Sequence, residues 1–196
     1  MRQRLLQIGV AGFTENGFLA VTVDAIVAKA KVSKATFYYY FASKTEFGLE
    51  LIEAYDQCFK NLLSKFFDEA ALNPVERLSA FMKDAETRMA ENDFRQGGLI
   101  SNLGQELGSL PERLRDRLVE ALSDWQRMTV DLFEAAQNAN AIKAELDVHA
   151  LASFFWIGWE GAVMHAKLQG TPSAIQCFSD HFFKLILNTR SETHDV

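Results

Sequence analysis

Cysteine is scarce in this chain of 196 residues: only Cys58 and Cys177 are present. They have no metal-ligand spacing and are too few for a disulfide framework, so both are expected to be buried thiols with a packing role. No secretory segment opens the chain, and a cytoplasmic protein is expected. Proline is scarcer than glycine, with three residues against eleven, and Pro74, Pro111 and Pro172 each stand at the edge of a helical stretch. Long apolar runs are missing too. Residues 150–166 are strongly apolar, but the run is short and contains Glu160, which reads as a buried core helix rather than a membrane span. There is no glycine-rich phosphate loop and no nucleophile elbow. His149, His165, His181 and His194 form no metal-ligand pattern: Glu160 and His165 are five apart, and Asp180 and His181 point apart on a helix. These absences exclude the common enzyme classes, and no catalytic residue, metal or cofactor is expected. Strand-like alternation and internal repeats are also lacking.

Basic residues are in deficit, with a net charge of -6, which disfavours a nucleic-acid partner until the charge is divided along the chain. Residues 1–50 carry six basic and four acidic side chains, net +2, while the remainder carries fourteen and twenty-two, net -8. Local charge sets phosphate contacts, so the division fits a small DNA-binding head on an acidic body. With 48% hydrophobic residues the chain can bury a substantial core.

The most informative stretch is Val32 to Lys44, reading VSKATFYYYFASK. As a helix from Ser33 to Phe41, it puts Phe37 and Phe41 on one face and Ala35, Thr36, Tyr39 and Tyr40 on the other. Phenols and hydroxyls hydrogen-bond, lysines supply positive charge, and ring faces touch thymine methyls, so such a helix suits a phosphate backbone and base edges. A half-buried aromatic helix is the competing reading of this stretch alone. What precedes it favours DNA. Arg2 to Asn16 reads as an amphipathic helix with Leu5, Ile8, Gly12 and Phe13 along one stripe, stopped by Gly17. Phe18 and Leu19 follow. Thr22 is a good N-cap for a second helix, Val23 to Ala30. Only Lys31 and Val32 separate it from the tyrosine helix, which makes a helix-turn-helix.

Residues 1–50 resemble the DNA-binding domain of the TetR family of transcriptional repressors. The likeness rests on NGF, TVDAIVAKA, the turn, VSKATFYYYF, and the SK that opens a long helix. Matched position by position, it implies DNA contacts at Thr22, Ser33, Lys34, Ala35, Thr36, Tyr38, Tyr39, Tyr40 and Lys44, with Phe37 and Phe41 as core anchors. Two positions depart from the pattern: Lys31 and Ala35 stand where the family commonly has glycine. A left-handed turn at Lys31 carries some strain.

The remainder reads as helices throughout. One runs from Thr45 to Ala71, with Phe47, Leu51, Ala54, Cys58 and Leu62 on one side. A second runs from Pro74 to about Glu91 with Leu78, Phe81, Met82, Ala85 and Met89. Asn92 to Gly98, including Gly97, reads as a loop, and Leu99 to Leu107 as a short helix closed by Gly108. A long helix starts at Ser109, Leu110, Pro111 and Glu112 and runs to Ala139. Asp147 caps the next, to Gln169, and the last spans Pro172 to Asn188, before a loose tail from Thr189. The expected fold is all-α: a three-helix head, residues 1–46, and a six-helix body, residues 47–196.

The helix count and order also resemble the TetR family, whose C-terminal domain binds an inducer and forms the homodimer. On that likeness the last two helices build a four-helix dimer interface with Phe154, Phe155, Ile157, Phe178, Phe182 and Ile186 as candidate contacts, though some of these must be intrachain core. Sixteen phenylalanines, three tryptophans and five methionines suggest an aromatic-lined cavity in the body. Candidate lining residues are Phe59, Phe66, Phe81, Met89, Leu103, Trp125, Met128, Trp156, Trp159 and Met164, with Asn102, Glu160 and His165 as polar orienters. The segment Gly97 to Leu107 resembles that of an electrophile- and aldehyde-sensing TetR subgroup, with Gly98 where those relatives carry the sensor cysteine; cysteine sensing there is ruled out.

The resulting expectation is a homodimeric regulator, a repressor by family default, released from a roughly palindromic double-stranded operator by a small apolar or aromatic effector, with no membrane partner. The rival is a ligand-binding or protein-interaction bundle whose head no longer binds DNA.

Overall fold

The computed structural model describes residues 1–94, 98–106, 108 and 110–187, apart from the Ser101 side chain. Gly97, Leu107, Ser109, Asn188, the tail from Thr189 and His194, all named above, lie outside the described residues. Among those described, the chain forms nine helices: α1 (Arg2–Ala20), α2 (Val23–Ala30), α3 (Lys34–Tyr40), α4 (Lys44–Phe67), α5 (Pro74–Glu91), α6 (Leu99–Gly104), α7 (Glu112–Asn138), α8 (Val148–Gln169) and α9 (Ser173–Ile186). The expected all-helical order is what is found; the pairing of Ile142 with Leu187 is an isolated antiparallel bridge. No helix among the described residues is long and apolar enough to cross a membrane.

Some element ends differ from the sequence reading and others follow it. Gly17, at φ 81° and ψ 172°, breaks the helical path, but helical residues resume beyond it to Ala20. α4 ends at Phe67, four residues early, and the Arg77 guanidinium donates to the carbonyls of Phe67 and Leu72 at 2.9 Å each, satisfying acceptors at that end. α5 starts at Pro74 as expected, capped by the Asn73 side chain, which accepts from the amides of Val75 and Glu76. Asp147 caps α8 through the amides of His149 and Ala150, and Gly170 ends it in the left-handed conformation.

The chain divides into two compact units, with the divisions falling inside α4, α5 and α7. The first comprises residues 1–62 and 89–125. Its centre is a group of aromatic rings: Phe47 lies 6.0 Å from Phe13, 5.1 Å from Phe37 and 4.8 Å from Phe41 between centroids. All four are buried, each contributing roughly 1.5–3 kcal/mol of hydrophobic stabilisation. Gly9 admits this packing, because a Cβ there would stand 2.5 Å from the Phe47 ring. Farther along, Asp56 is wholly buried and accepts from the Trp125 indole at 2.8 Å, from Lys60 at 3.0 Å and from Arg117. Burial alone would raise the Asp56 pKa; the hydrogen bonds from Arg117, Lys60 and Trp125 outweigh it and hold the carboxyl below its ordinary value. This polar cluster ties α4 to α7.

The second unit comprises residues 63–88 and 126 onward. Here α8 packs on α9; a Cβ at Gly158 would meet the Phe178 ring at 2.3 Å, so only glycine admits that approach. Phe155 stacks near Trp159 and meets Phe178 and Phe182 edge to face or tilted. The Trp156 indole donates to the buried Thr129 hydroxyl at 2.9 Å. Gln137 donates to the carbonyls of Lys143, Ala144 and Leu146, and the Lys143 amide donates to the Ile186 carbonyl, which fixes the α7–α8 connection.

Candidate nucleic-acid interface

Thr22 begins the site. Its hydroxyl accepts from the Ala25 amide at 3.2 Å and caps α2 as the sequence suggests. At the other end Lys31 adopts the left-handed conformation, φ 52° and ψ 48°, and its amide returns to the Ala28 carbonyl. The departure from glycine is therefore accommodated without changing the turn, at the modest cost a left-handed lysine carries. Ser33 then caps α3, accepting from the Thr36 amide at 3.1 Å, with the Ser33 and Thr36 hydroxyls also 3.1 Å apart. Two capped helices joined by a tight turn are the helix-turn-helix arrangement.

α3 has the two faces expected of it. Phe37 and Phe41 are buried, although Phe41 is already extended, at φ -134°, and stands just beyond the helix. Tyr39 is 82% exposed and Tyr38 51%. Thr22, Ser33, Lys34 and Ala35 are exposed as well, while Thr36, Tyr40 and Lys44 are half-buried. Eight of the nine anticipated positions thus belong to α3, its cap or the cap of α2; Lys44 opens α4.

Two cations in this set are engaged within the chain. The Lys34 ammonium is 2.8 Å from the Asp24 carboxylate, and this hydrogen bond with its ion pairing raises the lysine's pKa above its ordinary value. Lys44 lies 4.3 Å over the Phe18 ring and 3.5 Å from the Leu19 carbonyl. Burial lowers its pKa, and the nearby Glu106 charge acts in the opposite direction. Glu106 also accepts from the Leu19 amide at 3.0 Å, and Asn102 donates to the Thr14 carbonyl. These bonds attach α6 and the residues after it to α1. Neither Glu106 nor the Asp24–Lys34 pairing was anticipated. Asp24 could have been noticed as a carboxylate ten residues before Lys34 across a tight turn; Glu106, 87 residues from Leu19, leaves no local signal.

The candidate pocket residues fall in both units. In the first unit Phe59 lies 4.1 Å from Trp125 between ring centroids, Met89 and Leu103 are buried, and Asn102 is committed to Thr14. In the second, Phe81 contacts Phe66, Trp156 and Trp159 with centroids 5.6–6.3 Å apart. Met128 is half-buried there. Glu160 is half-buried too, and burial pushes its carboxyl up to about 7. Met164 and His165 are exposed on α8, not turned inward.

The expected dimer contacts also separate. Phe155, Phe182 and Ile186 are buried within the protomer's own core and cannot meet a second chain without unpacking it. Phe178 is half-buried against Gly158. Phe154 and Ile157 are exposed, 50% and 71%, and α8 continues their line with Gly161, Met164 and Leu168, the last 76% exposed. Cys58 and Cys177 are exposed free thiols, contrary to the buried role expected of them; Cys177 stands on the outer side of α9 with its sulfur 3.9 Å from His181 Nδ1.

Comparison with known proteins yields a consistent set. Residues 5–51 match the family described as "Bacterial regulatory proteins, tetR family", and residues 74–182 match "Tetracyclin repressor-like, C-terminal domain". The chain is 46% identical over 180 residues to the transcriptional regulator AcuR of Cereibacter sphaeroides, covering 92% of this chain and 82% of that protein. It is 27% identical to the transcriptional repressor DhaR of a Mycobacterium species, covering 95% and 92%. Among solved structures, a regulatory protein TetR from Rhodobacter sphaeroides superposes with a TM-score of 0.91 at 44% identity, over 94% of this chain and 98% of that one.

Proposed function

Because the chain belongs to the TetR family of transcriptional regulators, we propose that it represses transcription as a homodimer on a roughly palindromic operator and leaves that operator when a small effector binds. The observation that carries the DNA half is the outer face of α3, where Tyr38 and Tyr39 are exposed beside Ser33, Lys34 and Ala35. Tyr39, Tyr40, Thr36 and Lys34 read or abut base edges, Ala35 meets a thymine methyl, and Thr22, Ser33, Tyr38 and Lys44 take phosphates. The head is residues 1–46 and the ligand-binding and dimerisation part is residues 47–196.

A single head makes too few contacts for tight specific binding; two heads about 34–36 Å apart read successive major-groove faces. The line Phe154, Ile157, Gly161, Met164 and Leu168 supports α8 as the surface that meets a second copy, because its spacing of three and four residues is that of helix-on-helix packing. The effector is apolar or aromatic and binds among Phe66, Phe81, Trp156 and Trp159 of the second unit, with Glu160 orienting it; their aromatic character supports this assignment. It acts by favouring the protein state that binds DNA less well.

One observation favours the rival, a bundle whose head does not bind DNA: Lys34 and Lys44 both have partners inside the chain. Alanine at Tyr39 and Lys44 separates the readings. The regulator loses operator affinity by tenfold or more at each position while keeping its dimer. DNA affinity indifferent to both changes contradicts the assignment.

A further inference from the structure

The ion pair between α2 and α3 has a consequence for operator selectivity. Asp24 is in the first turn of α2, where a carboxylate complements the helix dipole, whereas Lys34 opens α3, where a cation opposes it. Left alone, the flexible lysine would sweep the space in front of the recognition helix and pair with whichever phosphate came near. Instead its ammonium is held 2.8 Å from Asp24 Oδ1, with both side chains exposed. An ammonium has three donors, and Asp24 takes one. The remaining two stay available to an acceptor on a base edge, such as guanine O6 or N7.

We propose that Asp24 is a specificity-determining positioning residue: it tethers Lys34 so that this lysine reads one base position of the operator and is withheld from indiscriminate phosphate contact. The inference rests on the DNA-binding reading above. On the operator the tether presents the ammonium already ordered, which reduces the entropy lost on binding. On unrelated DNA the carboxylate competes with phosphate for the same cation, so selectivity comes from a penalty against wrong sites as well as from contact with the right one.

The test is Asp24→Asn, measured against a duplex that the wild-type protein selects from a random pool and against a scrambled duplex of equal length, over a range of salt. Affinity for the scrambled duplex should rise several-fold, its salt dependence should steepen by about one in log–log slope per head, and the ratio of operator to scrambled affinity should fall tenfold or more. A carboxylate that merely stabilised α2 would weaken binding to both duplexes together and leave the ratio alone. Lys34→Met provides the second arm: it should lower the ratio by itself, and adding Asp24→Asn to it should change the ratio little further. An unchanged ratio in Asp24→Asn, or an equal gain on scrambled DNA with and without Lys34, overturns the tether while leaving the regulator standing. Failure of the wild-type protein to select any duplex overturns both.

Discussion

At the scale of single residues, Asp56 in the first unit is a carboxylate with no exposure that Trp125, Lys60 and Arg117 all address. Asp56→Ala leaves the mostly buried Arg117 without its closest partner and is expected to cost on the order of 3–5 kcal/mol, read as a lower midpoint in urea unfolding. Glu160 behaves in the opposite sense. Its carboxyl titrates near 7 in the folded chain against about 4.5 when unfolded, so between those values the native state holds the extra proton. Stability therefore falls as pH rises through that window and levels above it. Glu160→Gln should remove this slope, matching wild type near pH 4 and exceeding it by about 3 kcal/mol at pH 8; identical stability–pH curves would refute the shift. The residues that could be read from sequence were those whose role is local. Thr22 and Asp147 cap helices within three residues of themselves, and Phe37 and Phe41 follow from helical spacing. Asp56, Glu106 and the exposure of Cys58 and Cys177 depend on what distant helices cover, and the sequence holds no local trace of that.

At the scale of elements, glycines mark where helices approach one another or stop. Gly17 shows both effects: its φ of 81° is open to glycine, and a Cβ there would lie 1.6 Å from a Glu106 carboxylate oxygen that neighbours the Leu19 bond. Gly17→Ala is expected to destabilise the protein by about 1–3 kcal/mol, measured as a drop in Tm. Gly104, at the end of α6 with open space beside it, supplies the contrast, since Gly104→Ala should be neutral or gain up to about 1 kcal/mol. Equal losses at both positions would mean that backbone conformation at Gly17 is not the cause. Helix identities and order followed from periodicity, proline placement and caps. Their ends were less legible, as at α4, where termination coincides with carbonyls taken by Arg77 from another helix.

At the scale of the whole molecule, the proposed regulation requires two copies. The sequence pointed to the last two helices through family likeness, but it could not separate α8's outward side from its inward one, because residues 150–166 are apolar almost all round. Burial makes that separation: Phe155 and Trp159 turn inward, Phe154 and Ile157 outward. A charge placed on the outward line tests the dimer. Ile157→Glu with Leu168→Glu should yield a folded monomer by light scattering whose operator affinity falls at least a hundredfold; a dimer that persists would exclude this face.

Binding of the purified protein to the DNA flanking its own gene and to an unrelated duplex of equal length, at stated salt, bears most directly on the central claim. The account predicts a preference of a hundredfold or more with two protomers per duplex, lost in Tyr39→Ala. Equal, weak binding to both duplexes that fades together as salt rises, together with failure to select a site from a random pool, would contradict it.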